Sequence, residues 1–255
     1  MNQTYNPEAY WDKVAENIAS RNDHRLIAGN DEPYYRYKRK RFLELMDTID
    51  FSQKEVLEIG SGPGGNLVYL LSKECKSITG VDISDQMVQL SRKLLKGQEI
   101  QIIKTNGRDL PFENKSFDIT FTSTVLQHNT DENQLKKIIQ EICRVSRNEV
   151  ILFERIENKI KGHTSNLGRP IRYYADFFKD HGFILNQTKS LQIQVSYYAC
   201  GLIRKIFNLK TREEGEPLSK ISIILEKLIL PLTKFLDKFI PSNRDLTLLK
   251  FEKKN

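Results

Sequence analysis

Val56-Leu57-Glu58-Ile59-Gly60-Ser61-Gly62-Pro63-Gly64-Gly65-Asn66 decides how the rest of the chain is read. Residues 56–59 are a short apolar run with one acid in it, which reads as a buried strand. The glycines that follow allow a sharp reversal with no Cβ in the way. Leu67, Leu70 and Leu71 then recur at helical spacing. Strand, glycine turn and helix in that order place a helix N-terminus in a crevice at the carboxyl end of the strand. Bare amides and the positive end of the helix dipole meet there, a setting for an anionic or polar ligand.

Two cofactor families use this device. Gly60, Gly62 and Gly65 satisfy the dinucleotide pattern G-x-G-x-x-G, which is weak by itself. Gly60, Gly62 and Gly64, with Glu58 two residues before the first glycine, satisfy another pattern. It resembles motif I of the class I S-adenosylmethionine-dependent methyltransferases. An acid at Glu58 suits a cationic ligand such as a sulfonium or an ammonium, and is an awkward neighbour for a pyrophosphate. The plain alternative is a tight turn with no ligand, but an acid beside so many glycines is poor core material. Asp82 ends the next apolar strand, twenty residues after Gly62. In either family an acid here accepts hydrogen bonds from ribose hydroxyls.

Outward from these positions the resemblance continues. Gly80-Val81-Asp82-Ile83-Ser84 is similar to motif II. Asn106-Gly107-Arg108-Asp109-Leu110-Pro111-Phe112, then Ser116-Phe117-Asp118, is similar to the segment that cradles adenine and leads into motif IV. Thr124-Val125-Leu126-Gln127-His128 is similar to the segment after motif IV in small-molecule methyltransferases. The resemblance covers residues 54–195 and resumes at 245. It implies S-adenosylmethionine as cofactor, held by Glu58, Gly60, Ser61, Gly62, Gly64, Asp82, Ile83, Asn106, Gly107 and Gln127. One departure stands out. The family usually has Asp four residues before the Leu of Leu-Pro-Phe, and here that position is Asn106. Its carbonyl can still accept from the adenine amino group, without a charge, and the Gly107 amide can face a ring nitrogen. Where many relatives have a glycine turn, Ser146-Arg147-Asn148-Glu149 stands instead.

The chain of 255 residues is long enough for one α/β domain with additions. Hydrophobic content of 39% and charged content of 29% are those of an ordinary soluble protein. No signal-peptide pattern is present and no run reaches the roughly 18 apolar residues of a membrane span. Cys75, Cys143 and Cys200 are far apart with no metal-like spacing, and a reducing cytoplasm fits them. The net charge of +7 allows an anionic partner, although a lysine-rich solvated surface accounts for it as well.

Residues 1–50 read as an N-terminal helical cap, with helices over 7–20 and 34–46. From this cap Trp11, Tyr34, Tyr35 and Tyr37 could close over a ligand. The basic run 38–41 reads as a solvated face or an anion site. Strands and helices then alternate over 51–196, which implies a parallel sheet. Strands are expected at 77–82, 99–104, 117–122, 150–153 and 183–195, and a final one at 246–251. Residues 197–244 form an insertion ahead of the core's last strand (245–255). The fold class is therefore α/β: a Rossmann-like, doubly wound sheet of seven strands with an antiparallel last strand.

His128 is the candidate general base, because it follows the fourth strand at the carboxyl end of the sheet. A loop histidine that shapes the pocket is the alternative. Glu154, Arg169, Arg172 and Tyr173 lie where an acceptor would sit, and His163 and His181 have weaker cases. No metal-ligand cluster is present. No basic and aromatic alternation marks a nucleic-acid platform.

Within the insertion, Ile221, Ile224, Leu225, Leu228, Leu232, Phe235, Leu236 and Phe239 recur at helical spacing, with Lys220, Lys227, Lys234 and Lys238 to one side. Pro231 is expected to kink or divide this helix. Residues 218–240 then read as a lid over an apolar acceptor pocket, as an interfacial helix on a membrane surface, or as a homodimer surface. The resemblance implies methyl transfer to an O or N atom of a small-molecule acceptor, apolar or lipid-linked, with O favoured by His128. The rivals are an NAD-dependent oxidoreductase and a non-catalytic methyltransferase-like partner subunit.

Overall fold

A computed structural model describes residues 5–21, 26, 32–209, 212, 214, 216–242 and 245–254. Two helices precede the sheet. α1 (Pro7–Ala19) starts on proline, and the Asn6 side chain accepts from the Glu8 and Ala9 amides at 3.0 and 3.3 Å. Both features suit the first turn, whose amides lack partners within the helix. α2 is Pro33–Met46.

The alternating part follows as β1 (Glu55–Ile59), α3 (Gly65–Leu71), β2 (Ser77–Asp82), α4 (Asp85–Leu94), β3 (Gln101–Lys104) and β4 (Phe117–Ser123). A 3₁₀ turn (Leu126–His128), α5 (Glu132–Val145) and β5 (Ser146–Ile156) come next. A small ribbon of β6 (Lys161–His163) and β7 (Asn166–Gly168) leads to α6 (Ile171–Asp180), β8 (Phe183–Ser190), α7 (Gln194–Phe207), α8 (Lys220–Leu236) and β9 (Asp245–Lys253).

The sheet order is β3-β2-β1-β4-β5-β9-β8. Strands β3 to β5 pair in parallel, and β9 runs antiparallel to both β5 and β8. This is the expected seven-stranded sheet with an antiparallel last strand. Its strands are apolar on both faces because helices cover both. Val56, Phe121, Ile151 and Phe153 pack into one core with Phe42 and Met46 of α2. Leu57, Ile59, Val150 and Leu152 pack into the other with Leu135, Ile139 and Ile142 of α5. The strand order reverses between β1 and β4, so a crevice opens at their carboxyl ends.

Three expectations change. The strand predicted over 183–195 ends at Ser190, and α7 starts at Gln194. The alternation of Leu191, Ile193 and Val195 mimics a strand, while Leu191 and Ile193 are buried in the connector. The strand expected over 150–153 is longer: α5 passes straight into β5 at Ser146, which has extended dihedrals (φ −84°, ψ 131°), and the strand runs to Ile156. Pro231 does not divide α8, which runs unbroken on both sides of it.

α8 turns a polar face inward. Its buried residues are Ser222, Glu226, Leu230 and Thr233, with Asp237 buried just beyond. Its apolar stripe faces out, with Leu228 72% and Leu232 57% exposed, and Phe239 just past the helix is 68% exposed. Leaving such side chains in water forgoes about 1.5–3 kcal/mol each. The inward polar face is matched group by group. The Asp237 carboxylate accepts from the Val195 amide at 2.7 Å, the Ser196 amide at 3.2 Å and the Tyr37 hydroxyl at 3.2 Å. Glu226 pairs with Arg204 and accepts from the Tyr34 amide at 3.1 Å.

Candidate active site

The glycine loop bends through left-handed backbone at Gly60 (φ +71°), where a side chain is doubly excluded. A Cβ there would stand 2.3 Å from Cγ2 of Val125. The Gly60 and Ser61 amides donate to the Val81 carbonyl at 2.8 and 3.0 Å, which fastens the loop to β2. The Gly62 amide donates to Oδ2 of Asp82 at 2.8 Å, and Oδ1 of Asp82 accepts from the Ser84 amide at 2.9 Å. With the Ile83 amide as a third backbone donor, the Asp82 carboxylate still keeps acceptor capacity. Burial raises its carboxyl above the usual range, against those same amides. Ser84 also caps α4 through the Met87 amide at 3.0 Å.

A cleft of about 770 Å³, open to solvent at its mouth, lies over this loop. Of the predicted residues, Gly60, Gly62, Asp82, Ile83, Asn106, Gly107 and His128 line it. Glu58, Ser61, Gly64 and Gln127 lie behind the lining. Pro7, Met87, Thr105, Thr124 and Ile138 line it too and were not predicted. Among the aromatic residues of the cap, Trp11 lines the cleft. Tyr34 and Tyr35 instead hold Arg204 over their rings, and Tyr37 meets Asp237 and Lys234. α1 is held across the cleft by Asp12, which accepts from the Ser84 hydroxyl at 2.6 Å and the Gln86 amide at 3.2 Å.

Glu58 is buried beneath the loop. Its Oε1 accepts from Asn66 at 2.6 Å, and Arg39 donates to the other end of the same amide. Arg39 of the basic run thus turns toward the site. Oε2 of Glu58 has no hydrogen-bond partner among the described residues. Desolvation pushes this carboxyl up to about 8, against the Asn66 hydrogen bond and the Arg39 charge.

Asn106 is differently placed from the role foreseen. Its Oδ1 accepts from the Arg108 and Asp109 amides at 2.8 and 3.0 Å, an Asx turn closed on itself. The Gly107 amide donates to the Thr105 hydroxyl at 3.2 Å.

Residues 125–129 form the opposite wall, and two buried charges hold them from either side. Glu154, fully buried on β5, accepts from the amides of Val125, Leu126 and Gln127 at 3.0, 2.9 and 3.0 Å and from the Thr122 hydroxyl at 3.0 Å. Arg169, also fully buried, donates to the carbonyls of Leu126 and Asn129 at 3.1 and 2.8 Å and to Glu132 at 3.0 Å. Neither faces the cleft. Tyr173 donates to Glu132 behind Arg169, and Arg172 lies at the surface beside Asp176. Thr124, just before the turn, is held at φ +59°, unusual for a β-branched residue.

His128 sits in this clamped turn with both ring nitrogens engaged. Nδ1 lies 3.0 Å from the Ser165 carbonyl, which can only accept, so Nδ1 carries the proton. Nε2 lies 3.2 Å from Nε2 of Gln127, whose Oε1 accepts from the Arg155 amide at 3.1 Å. The Gln127 amide is therefore oriented to donate, and the Nε2 lone pair receives it. Burial lowers the His128 pKa, against the raising influence of Glu214 and the Ser165 carbonyl. Trp11 packs edge-on against the ring, 5.0 Å between centroids. Tyr10, next to Trp11, donates to Glu214 at 2.8 Å.

The sheet order, the glycine loop and the acid at the end of β2 define a class I methyltransferase fold. Residues 57–153 match the family model described as a methyltransferase domain. A stretch of 66 residues is 42% identical to a demethylmenaquinone methyltransferase of Tropheryma whipplei, covering 26% of this chain and 27% of that one. A stretch of 100 residues is 26% identical to a phthiotriol/phenolphthiotriol dimycocerosates methyltransferase of Mycobacterium tuberculosis, covering 39% of this chain and 36% of that one. These matches span about a quarter to a third of the curated relatives' length. The crystal structure of a magnesium protoporphyrin IX methyltransferase from Synechocystis PCC 6803 with bound SAM shares the fold over 100% of both chains. Its TM-score is 0.62 at 12% identity.

Proposed function

We propose that the protein is an S-adenosylmethionine-dependent methyltransferase acting on an O or N atom of a small-molecule acceptor, apolar or lipid-linked. One observation carries the reading: Asp82, fixed by the Gly62 and Ser84 amides, is the one acid among the described residues that line the cleft, with Ile59, Val81, Met87 and Ile138 as apolar lining and Thr105, Asn106, Thr124 and His128 as polar lining. A single acid beside apolar surface suits a ligand with a diol and a flat ring.

The residues present fit the cofactor. The lone pairs left on Asp82 can accept from ribose hydroxyls. Met87 and Ile138 offer apolar surface for adenine. Glu58 beneath the glycine loop keeps a partnerless Oε2; its carboxyl, pushed up to about 8 by burial, is mostly protonated at neutral pH, and a cation bound near it would favour the ionised form. When bound, S-adenosylmethionine supplies an electrophilic methyl group. The chain's own contribution is then to hold and orient, which can be worth on the order of 7–11 kcal/mol. Trp11 and Pro7 limit water at the cleft. His128 positions rather than abstracts a proton, because its bare nitrogen already receives the Gln127 amide. This removes the argument that favoured oxygen over nitrogen. The apolar acceptor class is supported by the quinone and lipid named in the two curated relatives.

Calorimetric titration with S-adenosylmethionine, S-adenosylhomocysteine and NAD tests the reading. Binding of the first two, weakened at least tenfold by Asp82→Ala, is expected. Uptake of NAD alone overturns it.

A further inference from the structure

The outward apolar stripe of α8 cannot be an inward face that happens to be loose. Turning the helix over would strip Asp237 from the Val195 and Ser196 amides and Glu226 from Arg204, leaving buried charges without partners. The stripe is therefore fixed toward the outside. α7, which packs against α8, adds Tyr198, Leu202 and Ile206, each more than half exposed. Lys220, Lys227 and Lys234 are exposed seven residues apart along one flank of the stripe, and Lys238 is exposed just past the helix. The only acids of the two helices and their C-caps are Glu226 and Asp237, at 0% and 2% exposure. The apolar surface is thus flanked by lysines along α8, with no exposed acid on either helix. Two copies meeting through it would bring lysine rows together with no carboxylate on either helix to match them. No helix among the described residues is long and apolar enough to cross a membrane.

We propose that the α7–α8 hairpin docks on an anionic lipid bilayer. Its apolar stripe enters the boundary between headgroups and acyl chains, and its lysine row meets lipid phosphates. The α8 helix, about 25 Å long at 1.5 Å per residue, lies in the plane of the surface. This docking stands on the hairpin alone, independently of methyl transfer.

Flotation of the full chain with phosphatidylcholine vesicles, with and without phosphatidylglycerol, tests it. Flotation is expected with the anionic vesicles and to fall with added salt. The pair Lys227→Ala and Lys238→Ala should lower partitioning roughly 25-fold, at about fivefold per lysine. Leu228→Asp with Leu232→Asp should abolish it. Thermal unfolding checks that these variants fold, and the lysine pair serves if the aspartate pair does not. The proposal is overturned by no flotation, by flotation unchanged in the folded variants, or by a dimer in sedimentation that Leu228→Asp dissociates.

Discussion

The wall at residues 125–129 and the helix α8 handle buried charge in the same way and apolar surface in opposite ways. At the wall, Glu154 and Arg169 satisfy the two ends of one turn, and Leu126 is wholly buried with them. On α8, Glu226 and Asp237 are as well satisfied, yet the leucines and phenylalanines face outward. Pairing the buried carboxylates is thus compatible with either arrangement. What separates the two regions is whether the apolar side has protein to meet. The wall is enclosed by sheet and ribbon, whereas the hairpin covers the edge of the core with its polar side and keeps its apolar side for something else.

The comparison can be broken most sharply at Glu154. Glu154→Ala leaves three amides and a hydroxyl buried without their acceptor, and a loss of about 3–5 kcal/mol in urea unfolding is expected. A loss below about 1 kcal/mol would mean that the turn holds without its clamp.

Glu58 gives the next effect, seen against pH. Its folded pKa, near 8, lies above the unfolded value, so the folded state holds the proton more tightly. That stability is complete below the unfolded pKa, about 4.3, and is lost as pH rises through the folded one. Relative to Glu58→Gln, the native protein should therefore lose on the order of a few kcal/mol between pH 5 and pH 8. A gap independent of pH would show an ordinary carboxyl there.

A pair of leucines sharpens the hairpin, and its outward member carries the smallest effect. Leu230→Ala, on the buried side of α8, should cost about 2–5 kcal/mol. Leu228→Ala, two residues earlier and facing out, should stay within about 0.5 kcal/mol. Equal losses in thermal unfolding would place both side chains inside.

Much of the site's floor was legible because its signals are local. The 56–66 stretch and Asp82 at the end of its strand lie close in sequence and specify their own geometry. The role of Glu154 was illegible for the opposite reason. A strand-end acid reads the same whether it meets a substrate or the amides of a turn nearly thirty residues earlier. The Asn106 turn could have been found, since Asn-Gly-Arg-Asp is a turn-forming run. For α8 the period gave the two faces correctly, but period says nothing about which one points in. Only the partners of Glu226 and Asp237, supplied by α7 and α2, decide that.

Gly60 and Val125 share one methyl group's worth of room between two loops far apart in the chain. Neither position is at liberty to grow alone. Enlarging residue 60 demands that residue 125 shrink in the same step, and even then the left-handed bend keeps a penalty. The floor and the wall of the cleft are in this sense a single machined joint, and any redesign of one must be drafted on both.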